Sequence, residues 1–287
     1  MRFRATRKHL GLPAAGRIVA IAIALISPAM ASHQDTGQPT VRANDLLRQV
    51  LAKEKPAGKD DYYAWMNRVQ KPRGSVTKLM VNTPHGILSR MVAIDDRPLT
   101  LLERQQDDER INRLLEPARM REKSRKQQDD QEHIQRLIRA LPDALHCDYA
   151  TTHQERNLRL ECSPDPAFAP PNYESQALQG MTAVILIDRE EKRVARIEGT
   201  LFRDVTFGWG VLGRLNRGGH IEITQARVAG GYWCMTRMQL VFEGRIVLFK
   251  PLNIEETEDS WDYRPVPQMS VAQALEYLRS GAVNPSH

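Results

Sequence analysis

The sequence lacks an apolar run long enough to cross a membrane as a helix. Its longest is the nine residues 18–26, IVAIAIALI, whereas a spanning helix needs about 20. Aromatic residues are also few, at 6%, and neither an H-E-x-x-H zinc motif nor a G-x-S-x-G serine motif occurs. We therefore expect no transmembrane anchor after processing, no metal, no cofactor and no catalytic residue, and we predict that the protein is not an enzyme.

The N-terminal residues form three consecutive zones. A basic zone without acidic residues is followed by the apolar run 18–26, and then by Pro28 and small residues that end at Ala31. The basic residues are Arg2, Arg4, Arg7, Lys8 and Arg17. This order is typical of a secretory signal peptide, so we predict cleavage between Ala31 and Ser32 and a periplasmic location. No cysteine stands near that point, which excludes attachment of a lipid to cysteine there.

The basic character of the chain belongs mainly to this leader. The chain has 41 basic and 35 acidic residues, a net charge of +6, and five of the basic residues would leave with residues 1–31. A processed chain of nearly balanced charge has no basic surplus to hold on one face, as nucleic-acid binding requires. We therefore predict a soluble processed protein with no nucleic-acid partner.

The first part of the processed chain predicts a leader, a helix and a meander. Residues 32–43 are polar and predict a flexible leader, after which Asn44 is placed to cap a helix that ends near residue 54. Three strand-like runs follow at 62–69, 75–82 and 87–94, separated by turn sequences that contain proline and glycine.

A charged region at about 100–141 predicts a helical insertion. Thr100 and the glutamate three residues later fit a capping box. Pro117 suits the first turn of a second helix or marks a kink, and Pro142 is expected to end that helix. Residues 119–130 are almost all charged or amide, and we interpret them as a solvated helix face in preference to a binding arm.

From residue 144 onward the chain is nearly all strand. Short connections indicate antiparallel neighbours, and the alternation of Ile221, Glu222 and Ile223 indicates a sheet with one buried face. The predicted strands are 145–152, 157–162, 182–188, 192–204, 219–228, 232–242, 245–250 and 253–264. The prediction is an α+β fold with about eleven antiparallel strands and about three helices in a single domain, 44–265, followed by a C-terminal helix and tail at 266–287.

Two of the three cysteines flank a predicted hairpin. If its strands pair symmetrically about a tip near Gln154, Cys147 and Cys162 face each other at close to disulfide distance. Because disulfides persist outside the cytoplasm, we predict a bridge between them, with two free thiols as the alternative. Cys234 is left over, and we interpret it as a buried small apolar residue in preference to a nucleophile.

The stretch 208–213, GWGVLG, matches the dinucleotide-binding pattern G-x-G-x-x-G. That pattern binds a pyrophosphate only where it joins a strand to a helix. Here a second glycine-containing segment leads into another strand, so we predict a bend between strands and no nicotinamide cofactor.

Several short segments suggest a family. They are 96–99 DRPL, 164–166 PDP, 185–188 ILID, 194–199 VARIEG, 205–210 VTFGWG, 231–233 GYW, 244–250 GRIVLFK and 263–264 YR. With these segments the chain resembles exported bacterial proteins, of a type common in acidobacteria, in the outer-membrane-lipoprotein-sorting (LolA/LolB-like) superfamily. It departs from them at Cys234 and Met235, where relatives carry Leu-Pro, and in having Cys147 and Cys162.

The resemblance implies a strongly curved antiparallel sheet wrapped around helices, an open half-barrel whose concave face takes up lipoprotein acyl chains in the better-known relatives. The expected function is a non-enzymatic carrier or binding module for a lipid or a lipoprotein acyl chain. The alternative is an envelope structural or protein-interaction module without a small ligand, with the charged helices at 100–141 as its contact surface. The sequence assigns no residues to a ligand cavity.

Overall fold

The computed structural model describes residues 41–54, 61–151, 156–208, 212–246 and 250–281. The predicted signal peptide, the cleavage site between Ala31 and Ser32 and almost all of the predicted leader lie outside these residues. Within them, no helix is both long and apolar enough to cross a membrane.

Thirteen strands of the described chain pair antiparallel in one sheet. They are β1 Tyr63–Lys71, β2 Gly74–Thr83, β3 Gly86–Ile94, β4 Arg97–Pro98, β5 Leu145–Tyr149, β6 Asn157–Pro164, β7 Met181–Asp188, β8 Val194–Leu201, β9 Val205–Phe207, β10 Gly213–Leu215, β11 His220–Arg227, β12 Trp233–Ile246 and β13 Lys250–Pro265. Eleven follow one path, β4-β3-β2-β1-β13-β12-β11-β8-β7-β6-β5, and the hairpin of β9 and β10 attaches to β12. The path has two ends, so the predicted open antiparallel sheet with helices is confirmed.

In the described part of the chain, five α-helices accompany the sheet. They are α1 Ala43–Lys53, α2 Leu101–Asn112, α3 Pro117–Ala144, α4 Tyr173–Gln176 and α5 Val271–Gly281. The capping box is confirmed, because Thr100 accepts a hydrogen bond from the backbone N–H of Glu103 and the Glu103 carboxylate accepts one from the backbone N–H of Thr100. Pro117 occupies the first turn of α3, and the charged segment 119–130 is helical within it.

Two predicted boundaries are wrong. Helix α3 continues through Pro142 to Ala144, because these residues are buried and the hydrogen bond that proline removes lies close to the helix end. Strand β12 continues through the predicted turn at Glu243 and Gly244, which pair with β13. Gly244 is needed there for another reason: a Cβ at this position would lie 2.0 Å from the carbonyl oxygen of Arg214 on β10.

Buried side chains of the described residues form three clusters. The first packs α1 and the end of α3 against β5 to β8, with Leu47, Leu160 and Ile185 fully buried. The second packs α5 and the start of α3 against β1 to β3, around Val81 and Leu275. The third is aromatic and belongs to β1, β12 and β13. The helices therefore cover the two ends of the strand path more fully than its middle.

Side chains from α2 and α3 seal the part of β3 that the two-residue strand β4 leaves unpaired, which we call the edge of β3. The Gln127 amide donates to the backbone oxygen of Ile87 at 3.1 Å and accepts from its N–H at 3.0 Å. Further along the strand, Arg110 donates to a backbone carbonyl at 2.7 Å and the Asp107 carboxylate accepts from a backbone N–H at 3.1 Å. Unpaired edge groups would otherwise invite another strand. This role explains why Asp107, paired with Arg110 at 2.7 Å, is buried.

A single side chain seals the opposite edge, β5. Asn44 accepts from the backbone N–H of Cys147 at 2.8 Å and donates to the carbonyls of Leu145 and Pro142 at 2.6 Å and 2.8 Å. Its amide thus supplies the donor and acceptor that a neighbouring strand would. The predicted helix-capping role of Asn44 is wrong, because Arg42 holds the N-cap position of α1.

The two edges require the sheet to curve. Nine interstrand steps separate β3 from β5, which would place them about 43 Å apart in a flat sheet. Gln127 at β3 and Leu145 at the start of β5 are joined by helix α3, and 18 residues of helix span only about 27 Å. The sheet therefore bends to bring both edges onto one helix.

The hairpin of β5 and β6 carries the predicted disulfide. Cys147 pairs directly with Cys162 in the register, and the two are bonded, with Cα atoms 4.1 Å apart. The bridge ties the edge strand to its neighbour inside the first buried cluster.

Replacing Gln127 tests the sealed edge. We expect Gln127→Ala to lower the free energy of unfolding by about 1–2 kcal/mol, since it leaves two backbone groups of β3 without partners. The adjacent exposed Gln128 supplies the control, and Gln128→Ala should change stability by less than about 0.5 kcal/mol. Urea titration measures both, and equal effects would contradict the role assigned to Gln127.

Thiol counting tests the disulfide. Alkylation of the denatured, unreduced protein should label only Cys234, whereas reduction first should expose all three cysteines. The double variant Cys147→Ser/Cys162→Ser should lose about 3 kcal/mol of stability in the chain-entropy account. Three labelled cysteines without reduction would show that the bridge does not form.

Candidate functional site

The strand register defines one face of the sheet. Directly paired residues of antiparallel strands place their side chains on the same face. One row across the sheet is Leu160, Ile185, Ile197, Ile223, Met238 and Glu258. Because Leu160 and Ile185 share a buried cluster with α1, we call the face that carries this row the inner face.

Apolar side chains continue along the inner face beyond the part that α1 covers. We define the central apolar patch by the seven on β11, β12 and β13: Ile221, Ile223, Met238, Leu240, Phe242, Leu252 and Ile254. Each is half-buried, and none belongs to a buried cluster of the described chain. The patch is therefore an apolar surface that the described part of the protein covers incompletely.

Charged and polar groups border the patch on β13 and β1. Glu256 and Glu258 pair in register with the patch residues of β12. Lys71 Nζ lies 2.9 Å from Glu256, and Asn67 donates to Glu258 at 2.7 Å. Burial raises the pKa of Glu258 above its ordinary value, the Asn67 hydrogen bond opposes the rise and the charge of Glu256 adds to it. The protonated acid is thus favoured more at Glu258 than at an exposed glutamate.

An aromatic cluster closes the inner face beyond this border. Trp65 alternates with Asn67 along β1 and so lies on the same face. Its ring stacks on Tyr263 with centroids 5.8 Å apart, and Tyr63 lies 5.3 Å away. The Tyr263 hydroxyl donates to the Met235 carbonyl at 2.6 Å. Burial raises the pKa of both tyrosines, so these rings act as packed, uncharged groups.

Cys234 belongs to this aromatic cluster. It is free and buried, and burial raises the pKa of its thiol against the opposing hydrogen bond with Tyr63. A raised thiol pKa disfavours the thiolate that a nucleophile requires. The structure therefore supports its interpretation as a packed apolar residue.

The dinucleotide-like stretch lies between strands β9 and β10. Gly213 pairs with Phe207 between β9 and β10, while residues 209–211 lie outside the described residues. Strand β10 follows where a nucleotide-binding motif needs a helix, and the predicted bend itself falls largely on residues outside the described part of the chain.

The described residues include no group of three or more histidine, cysteine, aspartate or glutamate side chains that could hold a metal ion. A groove of about 400 Å³ crosses β6 to β8, bordered mainly by side chains of the opposite face such as Glu161, Thr182 and Glu198. These polar side chains are not combined with an extended apolar surface in the groove. The arrangement that can act on a ligand is thus the central apolar patch with its acidic border, which can shelter an apolar chain.

Sequence reasoning missed the position of this patch. The alternation around Ile221 and Ile223 predicted a one-sided sheet, but the neighbours of β11 are β8 and β12, and β13 also pairs with β1 from the far end of the chain. Half-burial, the property that distinguishes the patch from the core, depends on where the helices lie and leaves no mark in the sequence.

Known proteins offer a distant structural likeness to this chain. Neither a family model nor a curated protein matches the chain. Among solved structures, the crystal structure of a LolA superfamily protein from Nitrosomonas europaea aligns with 79% of this chain and 96% of its own, at 10% identity and a TM-score of 0.28. A likeness of this degree carries no argument about function.

The raised pKa of Glu258 predicts how the stability of the protein depends on pH. A raised pKa in the folded state means that the protonated form of Glu258 stabilises the fold below the ordinary glutamate value of 4.5 and that this contribution is lost as the pH rises through the folded value. Glu258→Gln should therefore gain stability relative to the wild type as the pH rises from 4 to 7. Urea titrations across this range measure the difference.

The exposed Glu255 lies on the same strand and the opposite face. Glu255→Gln should show no comparable gain with pH. If the stability difference between Glu258→Gln and the wild type does not change with pH, burial does not raise the pKa of Glu258.

Proposed function

We propose that this chain is an exported periplasmic protein that binds or carries a lipophilic ligand, such as a lipid or a lipoprotein acyl chain, without catalysing a reaction. The observation that carries the proposal is the central apolar patch. Soluble domains bury apolar sheet faces, and a face left partly open commonly marks a binding surface.

The energetics favour an extended apolar ligand. Patch residues on three adjacent strands form a continuous strip about 10 Å wide, which suits an acyl chain. Burial of about 200 Å² of apolar surface would contribute about 5 kcal/mol, enough to offset part of the freedom lost on association. The polar border formed by Asn67, Glu256 and Glu258 would keep the ligand from running further along the inner face.

The proposed location is supported by two independent features. The basic zone, apolar run and Ala31 at the N-terminus have the order of a secretory signal peptide. The disulfide between Cys147 and Cys162 suits an oxidising compartment. The resemblance of segments 164–265 to the outer-membrane-lipoprotein-sorting superfamily points to the same ligand class.

Two substitutions on one strand test the site. We expect the wild type to bind a fluorescent fatty acid, and Leu240→Asn to weaken that binding by about tenfold or more, since it places an amide within the patch. Val241 is equally half-buried but lies on the opposite face, paired with His220 and Glu255. Val241→Asn should stay within about twofold of wild type. Fluorescence titration measures all three proteins.

Either of two results would reject the proposal: no uptake by the wild type, or equal weakening by both variants. The first would favour the alternative function, an envelope protein-interaction module. That alternative has one observation in its support, the exposed leucines at the start of α2, Leu101 and Leu102, which are 82% and 64% exposed. Large exposed apolar side chains side by side are typical of a protein contact.

A further inference from the structure

A second concave surface lies away from the central apolar patch, between the end of α2 and the first half of α3. It encloses about 680 Å³. We call it the basic cleft and define it by its lining residues, Arg110, Arg113, Leu114, Arg119, Glu122, Lys123, Lys126, Gln127 and Asp130. Five of the nine are basic and two are acidic, so the cleft carries a net positive charge.

The basic side chains divide into paired and unpaired groups. Arg110 is neutralised by the buried Asp107 at 2.7 Å, and Arg119 lies 3.5 Å from Glu122. Within the described chain, no carboxylate lies in ion-pair range of Arg113, Lys123 or Lys126, and none of these three donates a hydrogen bond to another described residue. The excess positive charge of the cleft therefore belongs to these three side chains.

Among the three unpaired cations, Lys123 is the least exposed. It is half-buried, whereas Arg113 and Lys126 are exposed. Burial lowers the pKa of its ammonium group, and the positive charges of Arg110, Lys78 and Lys126 lower it further. A partly buried cation among like charges is less favourable than an exposed one unless an anion accompanies it. The fold nevertheless fixes Lys123 there, because the neighbouring turn of α3 is anchored to β3 through Gln127.

We propose that the basic cleft binds a phosphate group, either as the free anion or as the headgroup of a lipid. A phosphate presents several acceptor oxygens and one to two negative charges, which match three cationic donors of flexible length that line one cleft. The flat guanidinium of Arg113 and the ammonium groups of Lys123 and Lys126 would surround it. This inference does not rest on the carrier function, because it concerns a different surface and a different chemistry.

The test compares two double variants of equal charge. Arg113→Gln/Lys123→Gln removes two unpaired cations from the cleft, whereas Arg121→Gln/Arg125→Gln removes two exposed cations of α3 that do not line it. Calorimetric titration with inorganic phosphate in dilute chloride buffer should show binding to the wild type. The cleft variant should weaken it by about tenfold or more and the control by no more than about twofold.

A second probe identifies the source of the phosphate. Dihexanoylphosphatidic acid should be titrated below its micelle concentration into protein saturated with inorganic phosphate. Displacement assigns the cleft to a lipid headgroup, and failure to displace assigns it to the free anion; either supports the site. Absence of phosphate binding to the wild type, or equal weakening in the two double variants, would overturn it.

Two further variants distinguish loss of phosphate binding from unfolding, and the basic cleft from the central apolar patch. Lys126→Gln, which changes one exposed side chain, repeats the cleft test should the double variant unfold at a lower temperature than the wild type. Leu240→Asn should bind inorganic phosphate as the wild type does, so failure of the apolar site and failure of the basic cleft give different patterns.

Discussion

An open sheet has two edges, and the sealing of those edges constrains the rest of this structure. At β3 the sealing groups are Gln127, Arg110 and Asp107, and at β5 the group is Asn44. Helix α3 contacts both edges, so its length limits how far apart they can lie. The curvature of the sheet follows from this limit.

The same constraint decides which parts of the inner face are covered. Helix α1 must lie beside β5 for Asn44 to reach that edge, and it therefore covers β5 to β8 around Ile185. Helices α2 and α5 and the start of α3 pack around Val81 and Leu88 of β2 and β3, on the face opposite to Asn67. On the inner face, the apolar side chains of the middle strands β11 to β13 lie beyond the part that α1 covers, and they remain half-buried. The central apolar patch is thus a consequence of how the edges are closed.

Charged side chains differ in how far they are exposed. Exposed ion pairs such as the one between Arg237 and Asp259 contribute little to stability, and most charges of the described chain are of this kind. Two charged groups that differ from these pairs are Glu258, held within the inner face by Asn67, and Lys123, which lines the basic cleft. Each lies beside a concave surface, where partial burial makes the charged form less favourable than it is in water. A ligand bound there would change that desolvation free energy.

Local chemistry made much of this fold predictable. The capping box at Thr100 and Glu103, the proline that opens α3 and the hairpin that pairs Cys147 with Cys162 each depend on residues close together in sequence. Asn44 shows where such reasoning fails, because its local preference for a helix cap was overridden by three partners about a hundred residues away. By itself the sequence determined the alternating strands, the charged helices and the bridge, since these follow from periodicity and short-range geometry. Only the tertiary structure decided which strands adjoin, how α3 closes both edges and which apolar side chains stay half-buried, because these depend on contacts between segments distant along the chain.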